Sequence, residues 1–352
     1  MSSPADSPTI EEISATLATH DVRHVGVTTA DVLDETRRVI HERKADGLAD
    51  GMQFTYRNPD RSTDPRRAVP GALSVIVAAR SYLSPEDPEA PADGIHARVG
   101  RYAWVDQYEP LRVALREVAA QLTAEGHKAQ VFADDNSIVD RAVAHRAGLG
   151  WFGKNANLLL PGAGSFFVLG CIVTTAEFAP AERVAPDGCG SCVRCIDDCP
   201  TGAIIAPGVI DGARCLSWIL QKPGPIDPAF RVAVGDRIYG CDDCQDVCPI
   251  SVRLGSRNTV EFEPGQDVQS HVDALELLDA DDATIEARHG RWWIAGREMR
   301  WLRRNALVVV GNVAGPDDQR VRATLDRYRA DPDPILAEHA HWATERIAVR
   351  HA

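Results

Sequence analysis

The chain has 352 residues, 44% of them hydrophobic and 25% charged, with 51 acidic side chains against 38 lysines and arginines for a net charge of -13. This is the balance of a soluble globular protein of two or three domains with a sizeable core, and its acidity excludes non-specific nucleic-acid binding over the whole surface while leaving room for a local basic patch. No apolar stretch approaches the roughly 18 residues of a membrane span, and residues 1–6 have neither the basic segment nor the apolar core of an export signal, so a cytoplasmic location is expected.

Residues 10–20 read as an amphipathic helix, 24–28 as a strand and 30–48 as a second helix. The Pro70-Gly71 turn leads into a continuous apolar run at 74–79, the pattern of a strand buried on both faces. A long helix is predicted over 110–126, then a short strand at 129–132. The alternation predicts an α/β domain. Residues 137–147 are again helical, stopped by Gly148, and 157–175 hold two strand candidates around Pro161-Gly162. Residues 180–186 read as a linker.

Eight of the nine cysteines follow it in a spaced set: Cys189-x2-Cys192-x2-Cys195-x3-Cys199-Pro200, then Cys215, then Cys241-x2-Cys244-x3-Cys248-Pro249. This is the two-cluster ferredoxin arrangement, in which the fourth cysteine of each run crosses to the other iron–sulfur cube. One [4Fe-4S] cluster is therefore expected on Cys189, Cys192, Cys195 and Cys248. A second is expected on Cys199, Cys215, Cys241 and Cys244, with Cys215 replacing the missing first cysteine of the second run. Two Cys-x2-Cys hooks also suit a zinc ribbon, but three cysteines at successive x2 spacings wrap a cube better than a tetrahedral ion. Disulfides are disfavoured, since the ligand thiolates must stay reduced. Cys171, inside an apolar run, reads as a small buried hydrophobe. A chain of this length is too long for a simple ferredoxin, and a pair of clusters inside a larger enzyme usually ends at a cofactor that does harder chemistry. No Gly-x-Gly-x-x-Gly or P-loop pattern nominates a nucleotide for that role.

Beyond Gly265 the chain reads as helical, and residues 305–312 and 339–343 look like two turns of a HEAT-type repeat with a corner at Asp331-Pro332-Asp333-Pro334. An ordinary helical bundle is the alternative. Between Arg288 and Arg304 lie six arginines and three tryptophans against one glutamate. Arginine neutralises phosphate and aromatic faces stack on unpaired bases, so this local reversal of sign points to RNA, although such a run also suits a solvated helix face over core tryptophans.

Four motifs surround the cysteines: Asp134-Asp135-Asn136-Ser137, the Ala147–Asn155 stretch with its Gly-Leu-Gly-Trp-Phe-Gly-Lys core, Arg214-Cys215-Leu216-Ser217, and the run from Tyr239 to Pro249. In their order and spacing the chain resembles the epoxyqueuosine reductases, cobalamin-dependent iron–sulfur enzymes that complete queuosine in the tRNA anticodon. The resemblance runs from about Gly26 to the C-terminal helices. It implies an α/β cobalamin-binding domain over 1–185, a ferredoxin-like two-cluster domain over 186–252 and a helical, HEAT-like tRNA-binding region over 253–352. Partners so implied are the tRNA anticodon stem-loop and an external electron donor, with no membrane; a monomer is expected.

By the same resemblance Asp134 is the proton donor, with Asp135 a rival by one position; from the residues alone, Asp134 reads as a helix cap. Cobalamin contacts implied are Arg57, Asp134, Leu158, Ser217 and Asp242, with Arg61 competing for the role of Arg57. Expected tRNA contacts are Lys222, Arg297, Arg300, Arg303 and Arg304. The chain departs from the family at residues 104–109, where an expected histidine is missing, and at Cys171, where glutamate is usual. The function implied is reduction of epoxyqueuosine to queuosine. Its rivals are a reductive dehalogenase-like enzyme acting on a small molecule and a ferredoxin-type electron carrier.

Overall fold

The structure, a computed structural model, describes residues 8–54 and 56–351. Its N-terminal half is built on four strands, β1 (His24–Thr29), β2 (Ser74–Ser81), β3 (Ala129–Ala133) and β4 (Phe167–Thr174), in spatial order β1-β2-β4-β3. Every neighbouring pair is antiparallel. The region mixes helices and strands, as the alternation along the chain predicts: helices lie between β1 and β2 and between β3 and β4, which are neighbours, and a long helix joins β2 to β3, which are not. Because β4 runs against both β2 and β3, those two are parallel to one another, and a long helix between them spans the gap into which β4 is later inserted.

Both faces of the sheet are covered, which is why β2 is buried at all eight positions. Ile76 and Ala78 point to one face, where they meet helix α1 (Ile10–Ala18) and helix α2 (Tyr108–Ala124). Leu111, Leu115, Val118 and Leu122 form the apolar stripe of α2, at the three-to-four residue spacing of one helix face. Each such side chain contributes about 1.5–3 kcal/mol on burial. Val75, Val77 and Ala79 point to the other face, with Leu169, Cys171 and Val173 of β4, and pack on helix α3 (Asp140–Arg146). Cys171 is 2% exposed, the small buried hydrophobe expected. The first helix opens with a capping box, Thr9 with Glu12, and Asp21, at φ 58°, turns the chain into β1.

A second sheet has strand His96–Val99 at its centre, parallel to Arg237–Tyr239 and antiparallel to His271–Asp273. The sequence reading found none of these strands and made everything past Gly265 helical. Each has only three or four residues, too few for a period of two to show. Around this sheet pack helices α4 (Arg300–Val313), α5 (Gln319–Arg329) and α6 (Pro334–Arg350). Gly311 lets α4 and α6 touch: a Cβ there would lie 2.8 Å from the Ala343 Cα. Asp333 caps α6 with Pro334 in its first turn. No helix among the described residues is long and apolar enough to cross a membrane.

Candidate cluster and active site

Two short helices, Arg194–Asp197 and Asp243–Asp246, each carry the last cysteine of a Cys-x2-Cys hook and pack on one another. The fold gathers the eight cysteines into two groups of four. Burial, followed by the proximity of Cys248, Cys189 and Cys192, pushes the Cys195 thiol up to about 11. Burial likewise raises Cys241 and Cys244, both of which feel Cys215, and Cys215 in turn feels Cys199. Among the described residues no three His, Cys, Asp or Glu side chains converge on one point as a single ion requires.

The groups differ in depth. Cys192 is exposed, and Val193 beside it is 41% exposed. The second group lies deeper, against the loop that follows α3. There Asn155 Nδ2 donates to the Cys244 carbonyl at 3.1 Å and Asn157 Nδ2 approaches the Cys244 Sγ at 3.9 Å. The backbone N–H of Ala203 donates to Cys199 Sγ at 3.2 Å. Such donors tune a cluster's reduction potential. The sequence reading placed Asn155 at the end of a motif without giving it a role and passed over Asn157; their position past a Gly-rich turn was the available signal.

Asp242, between two cysteine positions, is buried, and burial pushes its carboxyl up to about 6 against the opposing pull of Arg101. Its Oδ2 accepts from the Arg101 backbone N–H at 2.7 Å and its Oδ1 from Gln245 at 3.3 Å. Arg101 Nη1 also donates to Asp246, at 2.5 Å. Asp242 is thus turned into the seam between the N-terminal region and the cysteine segment, and would meet a ligand only through its remaining lone pairs.

At the end of β3 the two candidate aspartates part company. Asp135 accepts from the Ser137 N–H at 2.7 Å, closing a turn. Asp134 adopts a left-handed conformation, φ 56°, and its carboxylate has no hydrogen-bond partner among the described residues. It does not cap a helix. It is open to solvent, yet desolvation raises its pKa, opposed by Arg112 and assisted by Asp140 and Asp106. Exposure with desolvation is the signature of a recess.

Leu158, in the hairpin of Trp151–Phe152 with Leu158–Leu159, is 5% exposed. Ser217 is half-buried, and the Trp218 N–H beside it donates to the Cys215 carbonyl at 3.0 Å. Arg61 Nη2 reaches Ser137 Oγ at 3.2 Å and so touches the Asp134 loop, whereas exposed Arg57 only closes a turn, its N–H donating to the Gln53 carbonyl at 2.6 Å.

The basic segment is corrected in one member and reinterpreted in the rest. Arg304 is 0% exposed: its guanidinium donates to the carbonyls of Ile219, Lys222 and Gly224 and to Asn305 Oδ1. It is a structural cation, not a surface contact for RNA. Arg303 pairs with Asp282, Arg300 with Asp333 at 2.8 Å and Lys222 with Asp50 at 2.7 Å. Arg297, paired loosely with Glu286 at 3.4 Å, keeps 60% of its side chain exposed. Acids from distant segments therefore balance what looked like a local surplus of positive charge. Trp292 and Trp301 are core, at 3% and 5% exposed, while Trp293 stands 40% exposed.

Residues 188–251 match a family model for a 4Fe-4S double cluster binding domain, and residues 62–135 match the one described as epoxyqueuosine reductase QueG, DUF1730. An epoxyqueuosine reductase of Xanthomonas campestris pv. campestris is 36% identical over 315 residues, covering 85% of each chain. That of Bacillus cereus is 30% identical over 96% of this chain and 88% of its own. Among solved structures, an epoxyqueuosine reductase with a tRNA-Tyr epoxyqueuosine-modified stem loop superposes with a TM-score of 0.86 at 27% identity, over 96% of this chain and 90% of the other. One from Streptococcus thermophilus gives 0.84 at 26% identity, over 97% and 90%. With relatives at this identity along most of its length, the chain belongs to the epoxyqueuosine reductase family.

Proposed function

We propose that this protein is an oxidoreductase that reduces epoxyqueuosine to queuosine at the wobble position of tRNA, using two [4Fe-4S] clusters and cobalamin. The observation that carries the reading is the pairing of two cysteine groups with Asp134, an acid with a raised pKa and no partner of its own, in a chain of this family. The relative solved with an epoxyqueuosine-modified stem loop supports tRNA as the partner.

In this reading Cys189, Cys192, Cys195 and Cys248 hold the outer cluster, where electrons enter from an external donor, and Cys199, Cys215, Cys241 and Cys244 hold the inner one. The candidate cobalamin contacts are a buried apolar Leu158, a half-buried polar Ser217 two residues from Cys215, and the unpartnered acid Asp134. Arg57 and Asp242 are the remaining candidate contacts, with Arg61 the stronger candidate near Asp134. Cobalamin, when bound, supplies a strongly reducing cobalt centre. Asp134 holds a proton at its carboxyl oxygen and gives it to the epoxide oxygen as the carbon–oxygen bond breaks. Two electrons and two protons enter, one water leaves and a cyclopentene remains. Arg297, Arg300, Arg303 and Lys222 are proposed to position the RNA backbone, each by exchanging a carboxylate for a phosphate; the C-terminal helices, read as a short HEAT-like array, would present them. The working unit is a monomer.

The test is nucleoside analysis of epoxyqueuosine-containing tRNA after incubation with anaerobically reconstituted protein and a chemical reductant. Queuosine should appear only when iron and cobalamin are both supplied. Reduction of a halogenated aromatic with no action on tRNA would return the reading to a dehalogenase-like enzyme.

A further inference from the structure

Three separate segments bring one aromatic group to the surface. Trp293 packs on Phe54 at a centroid distance of 5.3 Å and on Trp218 at 5.7 Å, the latter pair tilted by only 31°. Trp218 is itself fixed, its indole N–H donating to the Asp50 carbonyl at 3.0 Å and to the Asp50 carboxylate. The Trp293 backbone is clamped by one hydroxyl: Tyr239 Oη accepts from the Trp293 N–H at 2.8 Å and lies 3.2 Å from its carbonyl. The ring is thus rigidly held from behind while 40% of the residue faces solvent. An exposed indole in a fixed pose, with Lys222 and Arg297 on the segments that carry it, has the make-up of a base-stacking site: a π-face for the base and cations for the flanking phosphates.

We propose that Trp293 is a stacking platform for an unpaired base of the substrate RNA. The inference rests on the tRNA-modifying reading above and adds to it a residue that takes a base rather than a phosphate. Stacking is indifferent to base identity, because every base has a π-face, so the platform serves to hold a splayed anticodon loop open. Two neighbours make the placement specific. Trp292 is spent in the core, stacked on Tyr239 at 4.6 Å, and Trp301 is buried under Arg300 and Arg304, so neither offers a free face.

The experiment compares Trp293→Ala, Trp293→Phe and the unaltered holoenzyme for binding to an anticodon stem-loop and to a blunt duplex of equal length. Trp293→Ala should weaken stem-loop binding by about tenfold, the scale of one lost stacked base, and leave duplex binding unchanged. Trp293→Phe, which keeps a ring face and serves if the alanine variant folds poorly, should recover most of the loss. With epoxyqueuosine-containing tRNA, KM should rise in Trp293→Ala while kcat at saturation stays close to that of the unaltered enzyme. Equal stem-loop affinity in Trp293→Ala overturns the platform, as does an equal loss for loop and duplex, or a change in cobalamin affinity with RNA binding intact. Failure of the unaltered enzyme to bind the stem-loop would instead sink the tRNA reading itself.

Discussion

Asp134 owes its availability to the residue next to it. Asp135 closes the turn through Ser137, so the chain fixes Asp134 in a left-handed pose without using its side chain. A non-glycine residue held in such a pose implies a surrounding structure that enforces it. Asp134→Asn should keep the clusters and RNA binding yet lower the rate of queuosine formation by roughly 10²–10⁴, the usual share of general-acid catalysis. Asp135→Asn should retain most activity. The acid must be protonated to act and desolvation raises its pKa, so kcat should be level at low pH and fall as pH rises through that raised value. A flat kcat across that range would remove Asp134 as the donor. A second titration belongs to His339, which is 0% exposed. Its Nε2 accepts from the Ile226 N–H at 3.1 Å and its Nδ1 donates to the Ile335 carbonyl at 2.7 Å, so a second ring proton would face a donor. Burial and then Arg231 push its pKa down to about 4, outweighing Glu338. A depressed folded-state pKa means stability that is complete above the unfolded value of about 6.5 and is lost as pH falls toward 4. The melting temperature should drop over that window, and His339→Gln should blunt the drop.

Arg304 shows what a run of charges hides at the scale of an element. On a helix, residues 300, 303 and 304 look equally basic, but Arg304 lies on the face of α4 turned toward helix Leu216–Ile219 and binds the carbonyls at that helix's end. Arg304→Ala should destabilise the fold by about 2–5 kcal/mol, since it leaves buried carbonyls unmet; chemical denaturation measures this directly. Arg297→Ala should leave stability unchanged and lower the salt slope of tRNA binding by about one. The elements legible in the sequence were those with internal periodicity: α1, α2, β2 and the stripe along α2. The cysteine spacing likewise marked out the double-cluster segment. Illegible were the three-stranded sheet, whose register depends on partners far along the chain, and the acids that neutralise Arg300 and Arg303, which come from Asp333 and Asp282. Asp242 gave no hint of its tie to Arg101, because a hydrogen bond to a remote backbone N–H leaves no local pattern.

For the molecule as a whole, anaerobically prepared protein should contain about eight irons, two cubes of four. Cys199→Ala should damage the inner cluster while sparing most of the outer one, as read by electron paramagnetic resonance. A single zinc and no iron after reconstitution would end the iron–sulfur assignment. Because strand His96–Val99 pairs with one strand from the cysteine segment and another from the C-terminal region, removing everything after residue 252 should leave an unpaired edge and an uncovered core. That truncation should aggregate rather than yield a working cluster fragment, as size-exclusion chromatography would show. The same strand also sets a clock during synthesis. On the ribosome it emerges long before residues 237–239 and 271–273 exist, and at about 5–20 residues per second its edges stay open for on the order of ten to thirty seconds. Throughout that interval the nascent chain carries a bare strand, and the thiols that emerge cannot close into clusters until Cys248 is made, so chaperone protection must span the interval while delivery of iron waits on translation of the final third of the message.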